Sequence, residues 1–197
     1  MSEVNFGNDG DFSDKALIQK CNTNLANELG NLCQWTLSMV FKNCDKQVPT
    51  PGELTAEDEA LLAQARALPG LAAEEVAQQA IMKYVQHIVE LVWEANKYID
   101  EMAPWTLKKT DPDRMATVLY VILEVLRYAA ILYQPVIPTL AGRMLDQLTV
   151  PADERTFAHL RNDERSSRYR IQPGTTIAKP EGIFPRIEMP ELVEASS

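Results

Sequence analysis

Residues 96–109 read NKYIDEMAPWTLKK. A long helical pattern runs into this stretch and meets Pro104, and the next residue is a tryptophan. Proline has no N–H for the helical ladder and disfavours helical dihedrals in the residue before it. The pattern therefore predicts a helix stop at Pro104, with Trp105 thrown off the helix end. A large flat ring there can close a core or offer its face to a flat partner such as a nucleobase. From these residues alone both roles stay open.

Upstream, helical periodicity continues. Val76, Ala80, Tyr84, Ile88, Leu91, Ala95, Tyr98 and Met102 share one stripe, predicting a helix over roughly 72–102. Earlier, Leu17, Cys21, Leu25, Leu29, Leu32, Thr36 and Val40 form another stripe, with Ser13 as candidate N-cap and an end near Asn43. A proline-rich link, VPTPG at 48–52, follows. Thr55 and Asp58 then form a capping-box pattern for a helix over about 56–67, closed by Pro69-Gly70. Downstream, Asp111-Pro112 is a strong N-cap and N1 pair. It opens a helix faced by Met115, Val118, Leu119, Ile122, Val125, Leu126, Ala129 and Leu132 and ended by Pro135 and Pro138. Shorter helices are expected over 139–148 and 152–161. Four amphipathic helices need partner faces, so the expected fold is an all-α antiparallel helix bundle over 13–161. Residues 1–12 read as a linker.

Residues 162–197 lack helical period. They are rich in proline, glycine and charge. Ile171, Ile177, Ile183, Phe184 and Ile187 are spaced too widely to build a core, so the expectation is a mobile tail or a strap that docks on another surface.

Apolar residues make up 46% of the 197-residue chain and charged residues 24%, an ordinary globular balance. No run of apolar residues approaches membrane-spanning length, so no membrane partner is expected. Cys21, Cys33 and Cys44 contain no CxxC spacing and fall on one predicted helix, which reads as reduced thiols of an intracellular protein. The net charge of −9 counts against nucleic acid as a partner without excluding a local basic face. His87 and His159 are the only histidines. No HExxH, P-loop, GxSxG or Cys/His metal spacing occurs, so no catalytic residue and no metal site are expected. The carboxylates read as solvated helix faces.

Four segments together resemble the anticodon-binding domain of methionyl-tRNA synthetase. They are FGNDGDFSDKALIQKCNTNLANELGN at 6–31, ANKYIDEMAPW at 95–105, LRYAAILYQPVIP at 126–138 and PGTTIAKPEGIFPRIE at 173–188. The resemblance covers nearly the whole chain in the family's order. It implies the class I aminoacyl-tRNA synthetase anticodon-binding fold, with methionine tRNA as partner and its CAU anticodon as target. It also implies roles by position: Trp105 after Pro104 as a stacking platform for the first anticodon base, Asn31 beside it as hydrogen-bonding reader, and Asn96 and Asp100 near the same site; Asn27 lies one turn before Asn31 on the same helix face.

The family's HIGH-like and KMSKS-like motifs, which handle ATP and activate methionine, do not occur here. The resemblance therefore implies no cofactor on this chain and no aminoacylation by it alone. The 162–197 tail would dock on a catalytic core. The setting would be cytoplasmic or organellar, in a mitochondrion or plastid. One departure stands out. The family pattern GNLxxRTL reads GNLCQWTL here, placing Trp35 where an arginine is common. Lys20-Cys21 also stands where Arg-Tyr is frequent. Arginine offers charge and forked donors, whereas tryptophan stacks and donates one hydrogen bond. A helical protein-interaction module with weakened or lost tRNA binding is the alternative.

Overall fold

The computed structural model describes residues 9–77, 81–160 and 167–181. Six α-helices account for most of these: α1 (Asp9–Asn43), α2 (Ala56–Ala77), α3 (Ile81–Met102), α4 (Pro104–Thr110), α5 (Pro112–Tyr133) and α6 (Pro138–Gln147). The expected all-α bundle is the fold, with α5 at its centre, packed against α1, α2, α3, α4 and α6. Asp111 caps α5 as its sequence predicts, accepting from the Arg114 amide at 3.1 Å, with Pro112 at the first helical position. By length and composition α5 could cross a membrane, yet 89% of its apolar window is buried inside the bundle. Its hydrophobicity belongs to the core.

The α1 stripe is buried from Leu25 through Leu29, Leu32, Thr36 and Val40, and Ala26, Cys33 and Leu37 widen it. The side chains of Leu17 and Cys21 lie outside the described residues. The described helix already includes Asp9, so Ser13 lies inside it rather than capping it. Cys33 is free and its thiol is pushed up to about 12 by burial. Cys44 is also free and half-buried, one residue past the helix end.

Several expected boundaries move. Pro69-Gly70 does not end α2, which carries Pro69 in its interior. An internal proline costs about 3 kcal/mol. Here Leu61, Leu62, Ala65, Leu68 and Ala72 form one buried stripe across it, and that burial offsets the lost hydrogen bond. Of the helix expected over 72–102, the described residues up to Ala77 belong to α2 and Ile81–Met102 form α3. The stripe positions Val76 and Ala80 lie outside the described side chains. Pro138 begins α6 instead of merely ending α5. The helix expected at 152–161 is two 3-10 turns, Ala152–Glu154 and Phe157–Leu160. Arg155 sits between them and donates to the Val150 carbonyl at 2.7 and 3.1 Å, which pins the chain in a bend.

Two carboxylates are not on solvated faces. Asp58 and Glu124 are buried, each with an arginine partner, Arg114 and Arg127. Asp58 closes the predicted capping box, accepting from the Thr55 amide at 3.0 Å while its own amide donates to the Thr55 hydroxyl at 3.4 Å. It also accepts from Arg114 at 2.6 and 2.8 Å and from the Tyr98 hydroxyl. Burial by itself would raise the Asp58 carboxyl. The Arg114 fork, Tyr98 and the Thr55 amide outweigh it and hold the pKa below the ordinary value.

The tail differs most from expectation. Ile171 and Ile177 are buried in the bundle's own core. The Ile171 amide donates to Glu124 at 3.1 Å and its carbonyl accepts from Tyr120 at 2.8 Å. A single antiparallel bridge joins Thr176 to Gln47, beside a Val48 amide to Thr175 carbonyl bond of 2.8 Å. Two apolar anchors suffice because their backbone groups are paired by the bundle. Ile183, Phe184 and Ile187 lie outside the described residues.

Candidate nucleic-acid interface

The chain turns sharply between α3 and α4. Ala103 takes a left-handed conformation, φ 43° and ψ 60°, which an alanine adopts only under strain. Its carbonyl accepts from the Thr106 amide at 2.9 Å and the Thr106 hydroxyl at 2.7 Å. Pro104 is then the first residue of α4 and Trp105 the second. Trp105 is thus not cast loose from a helix end. Proline suits the N1 position, where its fixed φ is helical and its missing N–H is not needed. The break falls one residue earlier than expected, at Ala103.

This turn sets Trp105 against α1. Its ring centroid lies 6.2 Å from that of Trp35, with the planes at 83°, an edge-to-face pair. Trp105 remains 49% exposed and Pro104 is buried. Beside the pair opens a cavity of about 370 Å³, walled by α1, α3 and Trp105. Asn31, Trp35, Asn96, Asp100 and Trp105 all line it, so five of the seven residues singled out from the sequence meet in one place. Pro104 supports the turn without lining the cavity. Asn27 is exposed one turn before Asn31 and does not line it either.

Glu28, Leu32 and Ile99 complete the wall and were not anticipated. Leu32 and Ile99 are buried stripe residues whose edges form the cavity floor. Glu28 precedes Asn31 by three residues, a spacing that places both on one helix face and could have identified it. Asn31 is exposed and makes no hydrogen bond to a described group, so its carbonyl and both N–H donors are available. Asn96 gives one N–H to the Val92 carbonyl at 3.1 Å, leaving its oxygen and one donor for a ligand. The lining carries two carboxylates and no lysine or arginine. Lys108 and Lys109 follow in the last turn of α4, three and four residues beyond Trp105 and on its side of that helix. Their place at a helix C-terminus is also favourable on macrodipole grounds.

The cavity therefore suits neutral, flat, edge-polar matter. An aromatic ring offers stacking, and two amides offer paired donors and acceptors. A phosphate pressed into it would meet the Glu28 and Asp100 carboxylates with no cation among the lining residues. Among the described residues no group of three or more metal-ligating side chains is found.

The Asp58 network reaches this site from behind. Arg114 Nη2 lies 3.4 Å from Met102 Sδ, at the last residue of α3. Tyr98, which donates to Asp58, is two residues from Asp100 on the same helix. Both contacts hold the end of α3 from which Ala103 turns.

The family described as the anticodon binding domain of methionyl tRNA ligase matches residues 48–196. The methionine–tRNA ligase of Rhizobium meliloti (strain 1021) is 47% identical over 191 residues, covering 97% of this chain and 36% of that protein. That of Mycobacterium tuberculosis (strain ATCC 25618 / H37Rv) is 43% identical over 198 residues, covering 98% and 37%. The structure of the Mycobacterium tuberculosis methionyl-tRNA synthetase in complex with methionyl-adenylate superposes with a TM-score of 0.78 at 43% identity, over 88% of this chain and 33% of that one.

The helix bundle and these matches together define a helical anticodon-binding module of the aminoacyl-tRNA synthetase type. The chain belongs to the family of methionyl-tRNA ligase anticodon-binding domains. It spans little more than a third of the length of the relatives it matches.

Proposed function

We propose that this domain binds methionine tRNA and reads its CAU anticodon, stacking the first base on Trp105 and hydrogen-bonding its edge from Asn31. The observation that supports this is the cavity itself, in which a half-exposed indole and two amides converge. Single-stranded loops are read by splaying bases onto aromatic faces and satisfying their edges. Stacking is tolerant of sequence, so discrimination falls to the amides. Asn31 reads, Asn96 assists with its remaining donor and acceptor, and Pro104 fixes the platform. Asp100 and Glu28 favour an entering edge that donates hydrogen bonds, and they repel a phosphate pressed inward.

In the same reading, residues 162–197 carry the contact with a catalytic core. Residues 167–181 offer that core a surface already held on the bundle by Ile171 and Ile177. ATP and methionine are handled by that core and not by this chain. The setting is translation in the cytoplasm or an organelle.

The test is binding of methionine tRNA against the same tRNA with one anticodon base changed. About 5- to 150-fold weaker binding of the changed tRNA is expected, from about 1–3 kcal/mol of hydrogen-bond discrimination against a wrong base. Equal affinity for both, or binding to neither, overturns the proposal. The acidic lining favours a second reading, a helical protein-interaction module that has lost tRNA binding. Absence of binding to either tRNA is its signature.

A further inference from the structure

The chain has three tryptophans, and the cavity accounts for Trp35 and Trp105. The third, Trp93, is 61% exposed, more than any other large apolar side chain described. It lies on α3 at three and seven residues before Asn96 and Asp100, spacings that put all three on one face. Half-buried Val89 and 40% exposed Met82 extend the same face in the direction away from Trp105. The core-facing stripe of α3 is a different one, made by Tyr84, Ile88, Leu91, Ala95 and Tyr98. Trp93 is therefore not a displaced core residue. Leaving so large an indole in water forgoes a burial worth about 2–3 kcal/mol, and its place on the α3 face that carries the lining residues Asn96 and Asp100 gives that exposure a use.

We propose that Trp93 is a second stacking platform, which holds another base of the tRNA loop on the side of the cavity opposite Trp105. The inference rests on the anticodon-binding reading and extends the bound strand beyond the base held at Trp105. Seven residues of helix separate Trp93 from Asp100 by roughly 10 Å along the axis, about three base-stacking intervals of 3.4 Å. That length accommodates a strand whose bases occupy the cavity and Trp93 in turn. The electrostatics agree with a strand that turns its bases inward. Glu28 and Asp100 would repel phosphates from the cleft, whereas stacking on an indole requires no charge. Lys97, one turn beyond Trp93, is exposed where the backbone would pass.

The test uses the chain as it is, at concentrations that saturate each labelled tRNA, with methionine tRNA and fluorescent 2-aminopurine placed singly at each anticodon-loop position. In wild-type protein two separate loop positions should change fluorescence on binding. Trp105→Ala should abolish one response and Trp93→Ala the other. Trp93→Ala should weaken binding about 5- to 150-fold, the stacking range for one base. Trp93→Phe should restore affinity to within about threefold, since a phenyl ring also stacks. Leu71→Ala, at an exposed apolar residue on α2, should change nothing. Two results overturn the platform and leave anticodon reading intact: Trp93→Ala binding within twofold of wild type while Trp105→Ala fails, or only one responsive position in the wild-type protein. If neither tryptophan matters, the anticodon reading falls and this inference falls with it.

Discussion

Replacing Asp58 by asparagine keeps the side-chain shape and removes its charge. In the native protein Asp58 is fully buried, and Arg114, 18% exposed, donates to it at 2.6 and 2.8 Å. Asparagine would turn one acceptor into an N–H2 group and leave a guanidinium without its counter-charge. Breaking a buried pair by removing one partner costs about 3–5 kcal/mol. Water can reach part of Arg114, so the expected cost lies near the lower limit, about 3 kcal/mol. That is a large share of a domain stability of roughly 5–15 kcal/mol. Urea unfolding followed by far-UV circular dichroism measures it, with the slope m expected to stay constant because the exposed area hardly changes.

The carboxyl is held below its ordinary pKa of about 3.9, so its stabilisation is complete above that pH and is lost as pH falls through the folded value. Wild-type and Asp58→Asn stabilities should therefore converge on acidification below about pH 4. Because Arg114 also touches Met102, the variant should shift the tryptophan fluorescence when Trp105 is the sole tryptophan left, in a Trp35→Phe, Trp93→Phe background. A cost below about 1 kcal/mol refutes the reasoning, as does full additivity with Arg114→Met, since contacting residues couple by about 0.5–3 kcal/mol.

Trp35→Arg restores the cation that the family pattern commonly has. It gives up an edge-to-face contact worth about 0.5–1.5 kcal/mol and gains a guanidinium beside Glu28 and Asp100. Methionine tRNA should bind more tightly in a filter assay and with a steeper salt dependence. Unchanged or weaker binding contradicts this. Ala103→Gly removes a strained left-handed alanine, and a gain of about 0.5–1 kcal/mol in urea unfolding is expected. A loss would show that Ala103 is not strained.

The α5 helix was legible because its whole signal is local. Asp111 and Pro112 mark its start, and a continuous apolar face marks its course. Asn31, Asn96, Asp100 and Trp105 were likewise legible as residues, through the motifs that carry the resemblance. Their convergence was implied by the resemblance alone and not by periodicity or capping, because Asn31 and Asn96 are distant in sequence and meet only when α1 and α3 pack. Pro69 misled for a related reason. Proline carries a local cost that any sequence reading must count, while the burial of Leu68 and Ala72 that offsets it exists only against the rest of the bundle. Asp58 looked like an ordinary helix-start carboxylate, and nothing near it announced Arg114, 56 residues away.

The sequence by itself determined the all-α class, the α5 start, the Thr55–Asp58 cap and the place of Trp105 directly after the proline that follows α3. Each depends on residues within a few turns of one another, where periodicity and capping act. Tertiary structure alone decided that Trp105 faces Trp35, that Ile171 and Ile177 seat the tail on its own bundle, and that Trp93 stays in solvent on the α3 face that carries Asn96 and Asp100. These depend on which helix faces meet, and burial is settled by the partner surface and not by the side chain that is buried.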